Sequence, residues 1–407
     1  MFLKSIKLKN FRNYHVLDHS FTTPTTILIG DNAQGKSNFL ESIYFLATAQ
    51  SPKAERDGEL IRYGEDVLRV EGVVENSEQL GKTQRISDSE IQINRNSDLQ
   101  SSSESFRTNL TITMQLVDGR LKKRVEINGI SRRVSDYSEN LAVVAFAPED
   151  INLVTGSPSL RRDHIDQVIS QIDRGYKKII SSYEHILTRK NRVLKAIKDG
   201  FGKIDELQFW CEQQIILGAQ VTDKRKKFFE YINSTEKKFG GFRYDYLPSP
   251  VTQTRLGEYQ EREIESTVSL IGPHRDDFSF VILSDSEGSL ANARTSNKLR
   301  DSSAAPQNDN TRDLSKFGSR GEQRTAVLDL KIAEVSFMEQ KIGSRPVLLL
   351  DDIFSELDLE HKKHVVELAK LQQTIITTVE LDKYLHGQFQ EAEVLKVEEG
   401  KIKRFTP

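Results

Sequence analysis

Apolar and polar positions alternate over residues 2 to 9, with Ile6 and Leu8 facing one way and Lys7 and Lys9 the other. A period of two predicts a strand with one exposed face. Phe11-Arg12-Asn13-Tyr14 follows as its turn. Thr26–Ile29 is a continuous apolar run, which predicts a buried strand, and Phe39, Leu40, Ile43, Tyr44, Leu46 and Ala47 then recur at helical spacing. Alternation returns where Val67, Arg69 and Glu71 are set against Leu68, Val70 and Gly72, and again at Leu110, Ile112, Met114 and Leu116. Asp118-Gly119 and Asn128-Gly129 are hairpin turn pairs, so residues 66 to about 130 predict an antiparallel sheet. Its interruption from Glu75 to Ser105 is polar and reads as a solvated loop, with one strand at Glu90–Asn94.

From Pro158 to about Lys238 the period becomes helical. Tyr176, Ile179, Ile180, Tyr183, Ile186, Leu187, Val193, Leu194 and Ile197 form one face. Leu207, Cys211, Ile215, Ala219, Phe228 and Ile232 form a second, after the turn Asp199-Gly-Phe-Gly202. Two long helices joined this way predict an inserted antiparallel hairpin. Ser284–Arg312 has scarcely an apolar residue, and its composition predicts a disordered insertion in a hairpin. A helix with Ala326, Val327, Leu330, Ala333 and Phe337 on its core face follows, then an apolar strand ending at Asp351-Asp352 and a last strand at Thr374–Thr378. The expected domains are 1–157, an inserted helical domain at 158–264, and 265–407 completing the first.

At 407 residues the chain exceeds what one hydrophobic core usually supports, in keeping with two domains. A formal charge of −2 advertises no global attraction to nucleic acid, so any such surface is a local patch. Cys211 is the only cysteine, which excludes an internal disulfide and a multi-cysteine metal site; it reads as a buried small side chain in a reducing cytoplasm. No stretch reaches the roughly eighteen apolar residues of a membrane span. The alternating N-terminus also lacks the continuous apolar centre of a signal peptide.

The chemistry sits at the breaks between these elements. Gly30-Asp31-Asn32-Ala33-Gln34-Gly35-Lys36-Ser37, between the buried strand and its helix, fits G-x-x-x-x-G-K-[ST], the phosphate-cradling P-loop. Gly30 and Gly35 let successive amides converge on an anion, Lys36 supplies a mobile charge, and the Ser37 hydroxyl can reach magnesium. Asp351 and Asp352, emerging from a buried strand, are placed to hold that ion and to position water. Ser319-x-Gly321-x-Gln323 opens a helix about thirty residues before that strand, where a hydroxyl and the helix dipole can meet a γ-phosphate. This is the motif order of ABC-type ATPases, in which that signature completes the site of the opposite subunit. Ser355-Glu-Leu-Asp358 resembles their D-loop, and Thr377 or Thr378 stands where they often place a γ-phosphate sensor, a simple strand end being the alternative.

With these motifs in order the chain resembles the RecF family, relatives of the SMC-type ABC ATPases. The resemblance rests on Leu8-Lys-Asn-Phe-Arg-Asn-Tyr14, the P-loop extended to Asn38, Phe146-Ala-Pro-Glu-Asp150, Gly156-Ser-Pro-Ser-Leu-Arg-Arg162, Gly272-Pro-His-Arg-Asp-Asp277, Gly318-Ser-Arg-Gly-Glu-Gln-Arg324 and Leu350-Asp-Asp-Ile-Phe-Ser-Glu-Leu-Asp358. It implies an α/β fold: an ABC-type P-loop ATPase head with an antiparallel β-subdomain and an inserted α-helical domain. It also implies ATP and Mg2+ as cofactors, an ATP-dependent homodimer, gapped or single-strand/double-strand junction DNA, and mediator partners of the RecR and RecO type.

By position, residues 30–38 would bind nucleotide, Asp351 and Ser37 the metal, Asp352 and Lys36 would be catalytic, and Ser319, Gly321 and Gln323 would act across the dimer. The family's Ser-x-Arg after the P-loop helix is here Ser51-Pro-Lys53, and a bidentate arginine contact does not transfer to lysine. Asp352 stands where ABC transporters carry Glu; the shorter acid predicts slow hydrolysis.

The runs Lys122–Arg124, Arg132-Arg133, Arg161-Arg162, Arg189–Arg192 and Lys224–Lys227 are candidate DNA contacts or solvated faces. Competing readings are the ATPase subunit of a membrane transporter and another SMC-like structural ATPase. The helical hairpin is too short for a long coiled coil, and one cysteine cannot build a zinc hook.

Overall fold

The computed structural model describes residues 1–76, 106–283, 311–381 and 383–405. The expected strand at Glu90–Asn94 and nearly all of the 284–312 insertion lie outside the described residues. Two compact units emerge, residues 1–148, 170–174 and 338–407 in the first, and 149–169 and 175–337 in the second. These bounds differ from the sequence division, which returned to the head at 265; the segment 265–337, with Ser319, belongs to the second unit.

The chain begins with β1 (Phe2–Phe11), β2 (Tyr14–Ser20) and β3 (Thr25–Ile29), then α1 (Lys36–Thr48). β4 (Val67–Asn76), β5 (Phe106–Val117), β6 (Arg120–Ile127), β7 (Ile130–Arg132) and β8 (Val143–Phe146) follow. Next come α2 (Asn152–Thr155), α3 (Pro158–Ile172), α4 (Arg174–Lys198) and α5 (Glu206–Ser234). After these stand β9 (Phe242–Leu247), α6 (Gln253–Ser266), β10 (Asp277–Leu283), β11 (Thr311–Asp313), α7 (Leu314–Phe317) and α8 (Arg320–Ile342). The chain closes with β12 (Val347–Asp351), α9 (Leu359–Ala369), β13 (Thr374–Thr378), α10 (Lys383–Gln388), β14 (Glu393–Glu398) and β15 (Lys401–Arg404).

The first unit holds two six-stranded sheets, ordered β2-β1-β4-β5-β6-β7 and β15-β14-β3-β13-β12-β8. The first is antiparallel throughout. Asp118-Gly119 and Asn128-Gly129 turn it with positive φ at both residues of each pair, as hairpin turns of this kind require. In the second sheet β14, β3, β13, β12 and β8 run parallel, and only the edge strand β15 is antiparallel. β12 is buried at every position, which accounts for its unbroken apolar sequence.

α1 packs against strands of both sheets. Eleven of its thirteen residues are buried, Glu41 and Ser42 among them. One apolar core therefore runs from Leu8 and Val70 through Phe39, Ile43 and Phe45 to Leu349 and Ile375.

In the second unit α4 and α5 lie antiparallel: Lys190 reaches Gln214, while Tyr183 covers Gly218. The buried positions of α4 are Tyr176, Tyr183, Ile186, Lys190 and Leu194, so the stripe runs through a lysine rather than Val193. Ala219 is exposed and Cys211 only half-buried, with desolvation raising its thiol pKa; α5 instead buries Gln214, Gly218, Val221 and Arg225. Apolar periodicity misses Lys190, Gln214 and Arg225 because each is buried with its polar groups met by partners remote in sequence. Lys190 Nζ donates to Glu263 Oε2 at 2.6 Å and Gln214 Oε1 at 2.8 Å. Glu263 Oε1 in turn accepts from the Leu270 amide at 2.8 Å.

The second unit also has a three-stranded sheet, β11-β10-β9, and Arg312 belongs to β11 rather than to the polar insertion. The expected core face of α8 is buried at Ala326, Val327, Leu330, Ala333 and Phe337.

Because removing one member of a buried ion pair strands the other charge, Lys190→Ala is expected to destabilise the second unit by roughly 3–5 kcal/mol. Lys190→Met with Glu263→Met should recover most of that loss. Urea unfolding of the two variants, followed by circular dichroism, measures both.

Candidate nucleotide site

The strand register decides what meets at the sheet edge. Asp351 on β12 is opposite Thr377 on β13, and Thr377 is opposite Leu28 on β3, just before the P-loop. All three strands point the same way, so the P-loop, Asp351 and Thr377 emerge at their C-terminal ends, where open α/β sheets bind ligands. Asp351 Oδ1 accepts from Ser37 Oγ at 2.7 Å and from Thr377 Oγ1 at 2.8 Å. Oδ2 accepts from Lys53 Nζ at 2.9 Å. The Thr377 hydroxyl also accepts from the Asp352 amide at 3.0 Å. Of the two threonines, Thr377 is the one at this site; Thr378 Oγ1 donates instead to the Glu380 carbonyl.

The P-loop is held from several sides. Tyr14 OH donates to the Gly35 carbonyl at 2.9 Å, Asn13 Nδ2 to the Gln34 carbonyl at 2.9 Å, and Asn38 Nδ2 to Asn13 Oδ1 at 2.9 Å. From the β14–β15 turn, the Gly400 amide reaches the Gln34 carbonyl at 3.0 Å and the Glu399 amide reaches Gln34 Oε1 at 2.8 Å. At Gly35, with φ near 114°, a Cβ would lie 2.5 Å from Asn13 Nδ2; at Gly30 it would lie 2.5 Å from the Val397 carbonyl. Glycine is required at both positions by this close approach. Lys36 Nζ donates to the carbonyls of Gly30 and Asp31.

Asn32, Ala33, Gly35, Lys36, Ser37, Asn38, Asp351, Asp352 and Thr377 line one pocket. Gly30, Asp31 and Gln34 face a second cavity, bordered by Lys396, Glu398 and Lys401. Motif reading named the loop but missed its clamps. Asn13 is legible in the sequence only as part of a turn and of the Leu8–Tyr14 motif, and Glu399-Gly400 carries no signal of its role there.

Burial, reinforced by Asp351 and Glu356 and opposed by Lys36, raises the Asp352 pKa above the usual aspartate value. Burial lowers that of Lys36, opposed by Asp352, Asp351 and Asp31. The Asp352 backbone is left-handed, at φ near 51°, an uncommon conformation for a residue other than glycine. Ser37 Oγ and the Asp351 carboxylate offer hard oxygens, which suit Mg2+. Among the described residues no three His, Cys, Asp or Glu side chains cluster to hold a metal unaided. Magnesium here would complete its shell from water and phosphate.

The other expected site residues are placed as follows. Ser319 and Glu322 form a capping box: the Ser319 amide donates to Glu322 Oε2 at 2.7 Å, and the Glu322 amide to Ser319 Oγ at 3.2 Å. A Cβ at Gly321 would meet only Ser319 Oγ, at 4.0 Å. Gln323 is buried, its amide donating to the Leu314 and Gly318 carbonyls. In the first unit, Ser355 Oγ donates to the Asp352 carbonyl at 2.7 Å, and Asp358 caps α9 by accepting from the His361 amide at 2.9 Å.

Three of the basic runs have a buried member. Arg161 pairs with Asp277, Lys190 with Glu263, and Arg225 with Asp166 and Asp276. These cations are structural; in the same runs Arg162 donates to the Asp276 carbonyl at 2.9 Å, and Lys227 pairs with Asp223 at the surface.

A parallel sheet that seats a P-loop beside an acidic strand end, with an antiparallel sheet closing over the same helix, defines a P-loop ATPase head of the ABC type. A family model described as RecF/RecN/SMC N terminal domain matches residues 2–403. The chain is 34% identical over 413 residues to the DNA replication and repair protein RecF of Agathobacter rectalis, covering 99% of each chain. It is 32% identical over 430 residues to that of Halalkalibacterium halodurans, covering 99% of this chain and all of the relative. Among solved structures, the recombination mediator protein RecF with ATP, in the RecFOR pathway, matches with a TM-score of 0.78 at 25% identity, over 100% of this chain and 98% of that one. The chain belongs to the RecF family of DNA replication and repair proteins.

Asn13→Ala removes a donor and an acceptor that hold the P-loop. The Gln34 carbonyl keeps the Gly400 amide, but the half-buried Asn38 side chain loses its acceptor at a cost of roughly 1 kcal/mol, so nucleotide affinity is expected to fall several-fold. Titration with a fluorescent ADP analogue measures this.

Proposed function

We propose that the chain is an ATP-switched DNA clamp of recombinational repair and replication-fork maintenance, acting in the cytoplasm. The observation that carries the reading is the 2.7 Å bond from Ser37 to Asp351, which joins the P-loop to an acidic strand end 314 residues away. The solved relative with ATP supports ATP as the nucleotide. In this reading the amides of residues 30–38 and the Lys36 ammonium bind the phosphates, Ser37 and Asp351 hold Mg2+, and Asp352 orients the attacking water. Magnesium would neutralise charge on the β- and γ-phosphates.

Ser319 and Gly321 of one copy meet the γ-phosphate on another, so two copies close around two nucleotides. Gln323 supports that segment from within, and Ser355 and Asp358 lie at the closure surface. Charge-assisted hydrogen bonds of roughly 1.5–3 kcal/mol each make closure depend on the γ-phosphate, and hydrolysis removes that bridge. The closed dimer grips gapped or junction DNA and helps load the recombinase on single strands with mediator proteins of the RecO and RecR type. The RecFOR pathway of the solved relative supports such partners. Among the described residues no helix is long and apolar enough to cross a membrane.

Lys36→Ala is expected to abolish nucleotide binding and dimerisation. Asp352→Asn should trap an ATP-bound dimer on DNA. Light scattering with ADP, ATP and gapped DNA measures both, and an Asp352→Asn protein that stays monomeric with ATP contradicts the reading.

The pH profile offers a second check. Asp352 works as a carboxylate and its pKa is raised, so turnover should fall on acidification at a pH above that of an ordinary aspartate. Lys36 works protonated and its pKa is lowered, so nucleotide affinity should fall on the alkaline side earlier than for a solvated lysine. Steady-state kinetics and nucleotide titration across pH read the two limbs separately.

A further inference from the structure

Lys53 lies outside every helix and strand, in the segment after α1, yet its ammonium is held at Asp351 Oδ2 at 2.9 Å. Its loop is anchored with some care. Ser51 Oγ accepts the amides of Lys53 and Ala54 at 3.0 and 2.8 Å and donates to Glu41 Oε1 at 2.5 Å. Glu41, buried on α1, is gripped by Arg12 through two bonds of 2.8 and 3.0 Å. Arg12 is fixed in turn by its own left-handed backbone, at φ near 52°, and by a bond to the Glu59 carbonyl. A buried carboxylate with two hydrogen-bonding partners thus sets the loop that delivers the ammonium.

We infer that Lys53 is a resident counter-ion that occupies the metal-binding oxygen of Asp351 until a divalent cation displaces it, and so sets the affinity of the site for that cation. This rests on the assignment of Asp351 as the magnesium ligand. In the metal-free chain the Lys53 ammonium is the cation paired with Asp351, while Lys36, bonded to the Gly30 and Asp31 carbonyls, acts on Asp351 and Asp352 only through its field. Oδ1 already accepts two hydroxyls, which leaves Oδ2 as the oxygen for which ammonium and metal compete. A divalent ion beside Asp351 also repels an ammonium held against the same group. Lysine suits an exchangeable role: it binds as a point charge through one oxygen, whereas arginine's fork can hold both oxygens of a carboxylate. The pair is part-exposed on the lysine side, so the competition is worth a several-fold change and not orders of magnitude.

The test is Mn2+ binding to the full-length chain without nucleotide, followed by the electron paramagnetic resonance of free Mn2+. The binding that Asp351→Asn abolishes defines the site. Lys53→Gln is expected to bind Mn2+ there about two- to tenfold more tightly than the parent chain, and Lys53→Arg several-fold more weakly. Circular dichroism and thermal melting check that both variants are folded. Equal or weaker binding in folded Lys53→Gln overturns the inference while leaving the metal site itself standing. If Asp351→Asn removes no Mn2+ binding even with ADP present, the metal assignment fails and the counter-ion role fails with it.

Discussion

The constraint on which the first unit turns is a nearly buried carboxylate. Asp351 closes a strand whose other residues are apolar and wholly enclosed, so its charge must be met by donors brought from elsewhere in the chain. Those donors arrive from the P-loop, from the neighbouring strand and from the segment after α1, as Ser37, Thr377 and Lys53. An unpaired carboxylate in such a place is too costly to keep, and this couples the parallel register to the integrity of the site. A slip of one residue between β12 and β13 would turn Thr377 to the opposite face of the sheet.

Around that carboxylate the P-loop is organised before any phosphate arrives. Asn13, Tyr14 and the Glu399-Gly400 turn hold its carbonyls, so that its amides are left to converge on an anion. α1 carries the arrangement into the core, since it is enclosed by strands of both sheets and cannot tilt without disturbing each of them. Rigidity of this kind reduces the ordering cost of binding. The second unit follows a related rule with other charges: Lys190, Arg225 and Arg161 are withdrawn from water only where carboxylates meet them.

Periodicity made most of the first unit legible. Ile6 and Leu8 against Lys7 and Lys9 is the burial pattern that β1 displays, and the unbroken apolar run before Asp351 is a strand buried at every position. The P-loop was readable because its residue types are dictated by geometry: Gly30 and Gly35 stand where a side chain would strike backbone or Asn13. What could not be read are the cases in which a polar residue does an apolar residue's work. Lys190 and Arg225 look like members of solvated basic runs until Glu263, Asp166 and Asp276 appear beside them, and those partners are remote in sequence. Asn13 and Gly400 likewise acquire meaning only when the fold carries them to Gln34.

The functional account requires that the nucleotide gripped by one copy be completed by the helix tip of another. A mixing experiment asks this directly, with one chain carrying Lys36→Ala and the other Ser319→Arg, each without turnover alone. A mixed pair contains one site of two with an intact P-loop and an intact facing serine, so an equimolar mixture is predicted to recover ATP turnover, up to about half that of the parent chain. A mixture as silent as its components, under conditions where the chains associate, would contradict the account.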